Sequence, residues 1–152
     1  MTDAVALSGE ALEVALAESQ AVRAMAQSDE MRERLAELAA LLDDGVVDGD
    51  AAELLESVLE LGLQSGRIRA VYGPGGEQAT VGTLRRLPRG RERAESAGEV
   101  TSALQALAGK TLDGVRVAAI GPGAFTLTIE AGGVEVSVRL DRSGARLQSV
   151  GT

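Results

Sequence analysis

Histidine, cysteine and tryptophan are absent from this chain, and there is one tyrosine (Tyr72), one phenylalanine (Phe125) and one lysine (Lys110). Each gap removes a class of chemistry. Without His and Cys there is no imidazole base poised near neutral pH, no thiolate nucleophile, and none of the usual zinc, copper, haem or iron–sulfur ligands. Without cysteine there is no disulfide framework either. An aromatic share of 1% leaves almost nothing to stack on bases, sugars or planar cofactors, so no cofactor and no metal is expected. The core has to be built of Ala, Val, Leu and Ile, which the apolar share of 45% supplies. No apolar run approaches the ~18 residues a membrane span needs. The first twenty residues have neither the basic start nor the apolar stretch of a signal peptide. These absences predict a soluble, cytoplasmic protein with no membrane partner.

What is present is acid, unevenly placed. The net charge is −8 over 152 residues. Residues 1–66 hold fifteen acids and three arginines, for −12; residues 67–152 hold eight acids and twelve bases, for +4. The length fits one domain, or one small domain with a helical arm. We read 1–66 as an acidic helical region and 67–152 as a basic sheet region. Two such halves can dock on each other, within one chain or between chains.

Helical spacing dominates the first region. Residues 8–27 form a first helix, with Ser8 able to cap it and Leu12, Leu16, Val22 and Met25 on one side. Residues 29–43 form another helical segment with the stripe Met31, Leu35, Leu38, Leu42, and residues 28–30 either break the helix, with Ser28 as a second cap, or continue it. Residues 43–50 read as a turn. A third helix is opened by Asp50 and Glu53 in a capping-box arrangement, carries Leu54, Leu55, Val58, Leu59 and Leu61, and is ended by Gly66. The alanines of the first helix suggest close packing on another helix, so a homodimer is expected.

From Arg67 the spacing reads as period two. Residues 67–72 and 79–87 predict two strands joined at Gly73-Pro74-Gly75-Gly76, followed by a loop at 88–93 where Pro88 and Gly90 discourage regular structure. Ser96 and Glu99 predict the start of a short helix over 97–108, closed by Gly109. Four strands then follow at 115–120, 125–130, 134–140 and 145–150, with hairpin-length connectors. Phe125, Leu127 and Ile129 face one way with Val134, Val136, Val138 and Leu140, and polar residues face the other. The fold class is therefore α+β: an N-terminal helical hairpin or bundle, then an antiparallel sheet (a hairpin plus a four-strand meander) covered on one face by a short helix.

Four motifs invite a functional reading. Gly-Pro-Gly occurs at 73–75 and at 121–123, each after an apolar run. A phosphate loop needs a following helix N-terminus with free N–H groups, and strand-like sequence follows both, so each reads as a type II turn. Asp44, Asp48, Gly49 and Asp50 approach EF-hand spacing, but Val46 and Leu55 fall where ligands are required, so this reads as an interhelical turn. Glu130 and Glu135 on neighbouring strands, with Tyr72 or Lys110, are the only carboxylate pair with any catalytic promise, and exposed acids beside a hairpin are common without catalysis. No catalytic residue is assigned and an enzyme is not expected.

The fourth motif is basic: Arg85, Arg86, Arg89, Arg91 and Arg93 fall within nine residues. Five guanidiniums suit an acidic protein surface, a phosphate or a nucleic acid backbone. The net charge and the shortage of aromatics disfavour nucleic acid, and an acidic partner is already present in residues 1–66. These five are the candidate partner-binding residues. The reading is a non-enzymatic interaction or assembly protein, oligomerising through its acidic helices, with the arginine segment as contact site and a protein or a second copy as partner. A winged-helix regulator is the alternative, since two helices and a hairpin with a glycine-rich tip imitate that motif, although its recognition helix would be acidic. A small-ligand or catalytic sheet is a further, weaker one.

Overall fold

A stripe of leucines every three or four residues has to be buried, and in the computed structural model, which describes residues 3–152, it is. The element order is β1 (Val5–Ala6), α1 (Gly9–Met25), α2 (Asp29–Asp43), β2 (Val46–Val47), α3 (Gly49–Gln64), α4 (Arg67–Leu84), α5 (Pro88–Leu104), a 3-10 turn (Gln105–Leu107), then β3 (Leu112–Gly121), β4 (Ala124–Ala131), β5 (Val134–Asp141) and β6 (Gly144–Gly151). The chain is α+β, with helices first and a four-strand sheet after them. Packing divides it into two units, one ending at Arg91 and the other Glu92–Thr152. No helix of the described residues is long and apolar enough to cross a membrane.

In the first unit, α2 buries Leu35, Leu38 and Leu42, and α3 buries Ala52, Leu55, Val58 and Leu59. With Val14 and Ala15 of α1, Ile68 of α4 and Leu87 they make one apolar core. Of the two readings of residues 28–30, the break holds: Ser28 caps α2, its hydroxyl accepting from the Met31 N–H at 3.2 Å. Ser8 stands at the N-cap of α1 without a side-chain cap bond. The third helix starts earlier than the Asp50 expected, with Asp48 as its N-cap. The turn before it contains β2, which pairs antiparallel with β1 (Val5 opposite Val47). Two-residue strands carry too little periodicity to be read from sequence.

The hairpin expected over 67–87 is a helix, α4, and with it the wing of the winged-helix alternative disappears. Its residues misled because Ile68, Val71, Val81, Thr80 and Thr83 are β-branched, which favours strands only weakly. The burial pattern is helical: Gly76, Thr80, Thr83 and then Leu87 turn inward at spacings of four, three and four. Buried threonine hydroxyls are satisfied along the helix itself, Thr80 donating to the Gly76 carbonyl at 2.8 Å and Thr83 to that of Ala79 at 2.9 Å. The first Gly-Pro-Gly is therefore no hairpin turn. It is a break and restart: Gly73 takes φ 70°, ψ −170°, a region open only to glycine, and Pro74 opens the second helical segment.

The loop expected at 88–93 is also helical, because Pro88 takes the first position of α5, where its missing N–H costs nothing. Helix α5 thus begins well before 97, and Ser96 and Glu99, expected to cap it, lie in its interior.

In the second unit the four-strand meander is as expected, in the order β3-β4-β5-β6 and antiparallel throughout. The register places Val117, Leu127, Val138 and Leu147 in one row, and Val115, Ile129, Val136 and Val150 in the next. Val100, Ala103, Leu104 and Leu107, from α5 and the 3-10 turn, pack on this face over Val134, Val136, Val138 and Leu147. The second Gly-Pro-Gly does connect two strands, with Gly123 at φ 69° in the third position of the turn, as a type II turn asks.

Candidate functional site

Arginine side chains seek carboxylates and carbonyls in fixed geometry, and most of the five candidates have found one within the first unit. Arg86 donates to the Ala6 carbonyl at 2.8 Å. Arg91 pairs with Asp3 at 2.7 Å. Arg89 reaches α3, where it meets Glu56 at 3.2 Å, Ser57 at 3.0 Å and Glu60 at 3.5 Å, residues that share one face at i, i+1 and i+4. Arg85 is exposed and has no ion pair among the described residues. With Arg86, Arg91 and residues 3–6 it lines an open groove of about 300 Å³. Arg93 belongs to the second unit, where its aliphatic stem passes beside Gly144. Within the first unit, Arg85, Arg86 and Arg91 thus line one groove, while Arg89 turns to α3.

The charge asymmetry is largely resolved inside the first unit. Residues 1–91 hold sixteen acids and nine bases, for −7, and residues 92–152 hold seven acids and six bases, for −1. Basic residues from 67 onward pair with acids before 66: Arg89 with Glu56, Arg91 with Asp3, and Arg67 with Glu18 at 3.0 Å.

Glu56 is the residue that sequence reasoning passed over. It is fully buried, at 0% exposure. Leu87 is the N-cap of α5, since its carbonyl accepts the first helical bond from Arg91, and a leucine has nothing to offer the free N–H groups above it. Glu56 supplies what is missing from a different helix. Its Oε2 accepts from the Arg89 N–H at 3.2 Å and its Oε1 from the Gly90 N–H at 2.9 Å. A carboxylate at the positive end of α5 is favoured by the helix dipole as well. The signal was there: a Leu-Pro start with no Ser, Thr, Asp or Asn before it needs a cap from elsewhere.

A second buried carboxylate, Glu18, accepts at Oε1 from Arg67 Nε and from the Tyr72 hydroxyl at 3.1 Å. Burial first, and then the hydrogen bond to Glu18, push the Tyr72 hydroxyl above its ordinary value. The hydrogen bond to Glu18 raises Arg67. This cluster joins α1 to α4.

In the second unit, Glu130 and Glu135 are direct cross-strand neighbours on the polar face, and Arg116 lies 3.3 Å from one and 3.9 Å from the other. The arginine offsets a like-charge pair that would otherwise destabilise the sheet. Tyr72 and Lys110, named with this pair in the sequence reading, have other surroundings: Tyr72 is in the first unit, and Lys110 packs its stem against Gly132.

At the β5–β6 turn, hydrogen bonds from Ser143, followed by that from Arg139 at 2.9 Å, hold the Asp141 carboxyl down at about 2. A folded-state value below the unfolded one means that this turn contributes its full stability above the ordinary carboxylate range and loses it as pH falls toward 2. Titration of the Asp141 carboxyl carbon by NMR should give a midpoint near 2, returning toward the ordinary carboxylate value in Ser143→Ala. An unchanged midpoint in that variant would discount the hydroxyl.

Comparison of the chain with protein-family models, with curated proteins and with solved structures returns no match.

Proposed function

We propose that the chain is a non-enzymatic assembly protein, acting in the cytoplasm, that pairs with a second copy of itself through the uncovered part of its sheet. One observation carries the reading. The second unit buries only Val100, Val136 and Val138 in its core cluster, while Val115 and Val117 of β3, on the same face, are 53% and 65% exposed. Phe125, Leu140 and Val150 on that face are also exposed. Monomeric proteins seldom leave so contiguous an apolar surface to water, and fully burying one such side chain is worth about 1.5–3 kcal/mol.

The occupant is argued from the edge. β3 is an outer strand paired only with β4, so its outer backbone groups need another extended strand. Its own sequence answers in antiparallel two-fold register. Centred on Val117, the pairing sets Val115 opposite Ala119 of the partner subunit and places no like charges directly opposite, the two copies of Arg116 being diagonal neighbours. Arg116, the one cation on β3, is already occupied by Glu130 and Glu135. Helix α1 is packed among α2, α3 and α4 of its own chain. An outside role for the arginine segment rests on Arg85 and its groove.

Mass in solution tests this. The expected result is twice the chain mass of 15.6 kDa, at low and at high salt alike, because apolar burial is not screened. Val117→Lys, which places a charge on the open edge, should give the single-chain mass with the fold intact. A dimer that dissociates in salt would point back to charge-mediated contacts, and a monomer at every concentration would overturn the reading.

A further inference from the structure

The last turns of α1 and α3 meet at a cavity of about 170 Å³ that the assembly reading does not use. Its walls are apolar: Ala21, Val22 and Met25 from α1, Leu61 and Gly62 from α3. Met25 and Leu61 form an exposed apolar lip, at 66% and 52%. Against this wall stands Glu18, whose side chain is 2% exposed. Its two oxygens are treated differently. Oε1 is saturated by Arg67 and Tyr72, whereas Oε2 accepts no hydrogen bond from any described residue. Gly62 is why that oxygen stays bare. A Cβ at this position would sit 2.9 Å from Oε2 and closer still to Ile68, at 2.6 Å.

That oxygen borders the cavity, and an ionised carboxylate oxygen accepts hydrogen bonds without donating any. What fits it must bring N–H or O–H, and a cationic donor gains most in an apolar surrounding. The last carbonyls of α1 and α3 add partial negative charge there, opposed in part by the N-terminus of α4 at Arg67. Arg67 stands at the rim with its Nε committed to Oε1, and Ser65 spends its hydroxyl on the Gly62 carbonyl at 3.3 Å. We infer that this cavity binds a small aliphatic ammonium, its nitrogen donating to Glu18 Oε2 and its carbon chain lying among Val22, Met25 and Leu61. An apolar cavity of about 150 Å³ accommodates benzene, which sets the apolar body at roughly six carbons. A carboxylate of equal length would meet Oε2 as a like charge.

The test is titration of the full-length chain with hexylamine, hexanol and hexanoate, followed by amide chemical shifts. Hexylamine should give saturable shifts confined to residues 18–25 and 61–68, with an affinity on the order of millimolar. Hexanol should bind about tenfold more weakly, and hexanoate not at all. Glu18→Gln should lower hexylamine affinity about tenfold. Since that variant also disturbs Arg67 and Tyr72, Ala21→Leu provides an independent arm: it fills the cavity, keeps Glu18, and should abolish the shifts. Equal binding of hexanol or hexanoate, shifts that survive Ala21→Leu, or no saturation by hexylamine would each overturn the inference.

Discussion

Replacing Gly90 with alanine is expected to destabilise the first unit by about 3 kcal/mol or more, and to lower its melting temperature by roughly 10–20 °C. The reason is steric and specific. Gly90 sits in the first turn of α5, where the end of α4 folds back so closely that an added Cβ would overlap the Leu84 carbonyl oxygen. The atoms it would meet, the Leu84 carbonyl and the Arg85 Cα, are all backbone, so no rotamer change relieves the overlap. Moving α5 away would also pull the Gly90 N–H off Glu56, leaving a buried carboxylate short of a donor. Gly98 in the same helix is the control, because a Cβ there meets nothing. Gly98→Ala should be neutral or stabilising by about 0.5–1 kcal/mol, since alanine is the better helix former. Thermal unfolding followed by circular dichroism separates the two. Similar behaviour of both variants would mean that α4 and α5 do not approach as described.

Glu56 should show the second large effect, and the pattern of variants matters more than its size. Glu56→Ala is expected to cost about 3–5 kcal/mol, because it leaves the Arg89 and Gly90 N–H groups without their acceptor. Glu56→Gln keeps the shape but turns one acceptor into an N–H₂ that faces either the Arg89 or the Gly90 N–H, and should cost about 2–4 kcal/mol. Arg89→Ala should cost only about 1 kcal/mol. Loss of that side chain leaves the Glu56 carboxylate on the Arg89 and Gly90 backbone N–H groups at the positive end of α5, so that charge keeps its donors. If Arg89→Ala proved as damaging as Glu56→Ala, the ion pair and not the cap would be what Glu56 contributes. Denaturant midpoints for the three variants decide the matter.

These two positions also mark where reading the chain reached its limit. Gly90 and Pro88 are poor helix formers by composition, and a local reading of them ends in a loop. Proline at the first helical position and glycine at a close backbone approach are both compatible with a helix, but the approach is made by Leu84, and nothing in the local sequence announces it. The same holds for Gly73-Pro74-Gly75. Its residues suit a turn and a helix restart equally well, and the choice depends on whether Thr80, Thr83 and Leu87 have a core to face. They do, because α1 and α3 provide one. Glu56 reads in sequence as one acid among several on a solvated helix, and it is buried only because α5 begins on top of it.

By itself, the sequence determined the elements whose periodicity is long and unambiguous. Leu35, Leu38 and Leu42 define α2, and the alternation from Phe125 to Leu140 defines two strands and their shared face, with Gly123 placing the turn before them. It determined too that imidazole and thiol chemistry have no place here, because those side chains do not exist in the chain, and that aromatic stacking has only Tyr72 and Phe125 to draw on. Only the tertiary structure decided that residues 67–84 and 88–93 are helical, that Arg89 and Arg91 are held by acids of the same unit, and that Val115 and Val117 stay exposed beside an open edge. Local preference among β-branched, glycine and proline residues differs by about 1 kcal/mol or less per alternative outside a helix interior. Burial of a single leucine or isoleucine outweighs that, so packing settled every segment that local preference left nearly balanced.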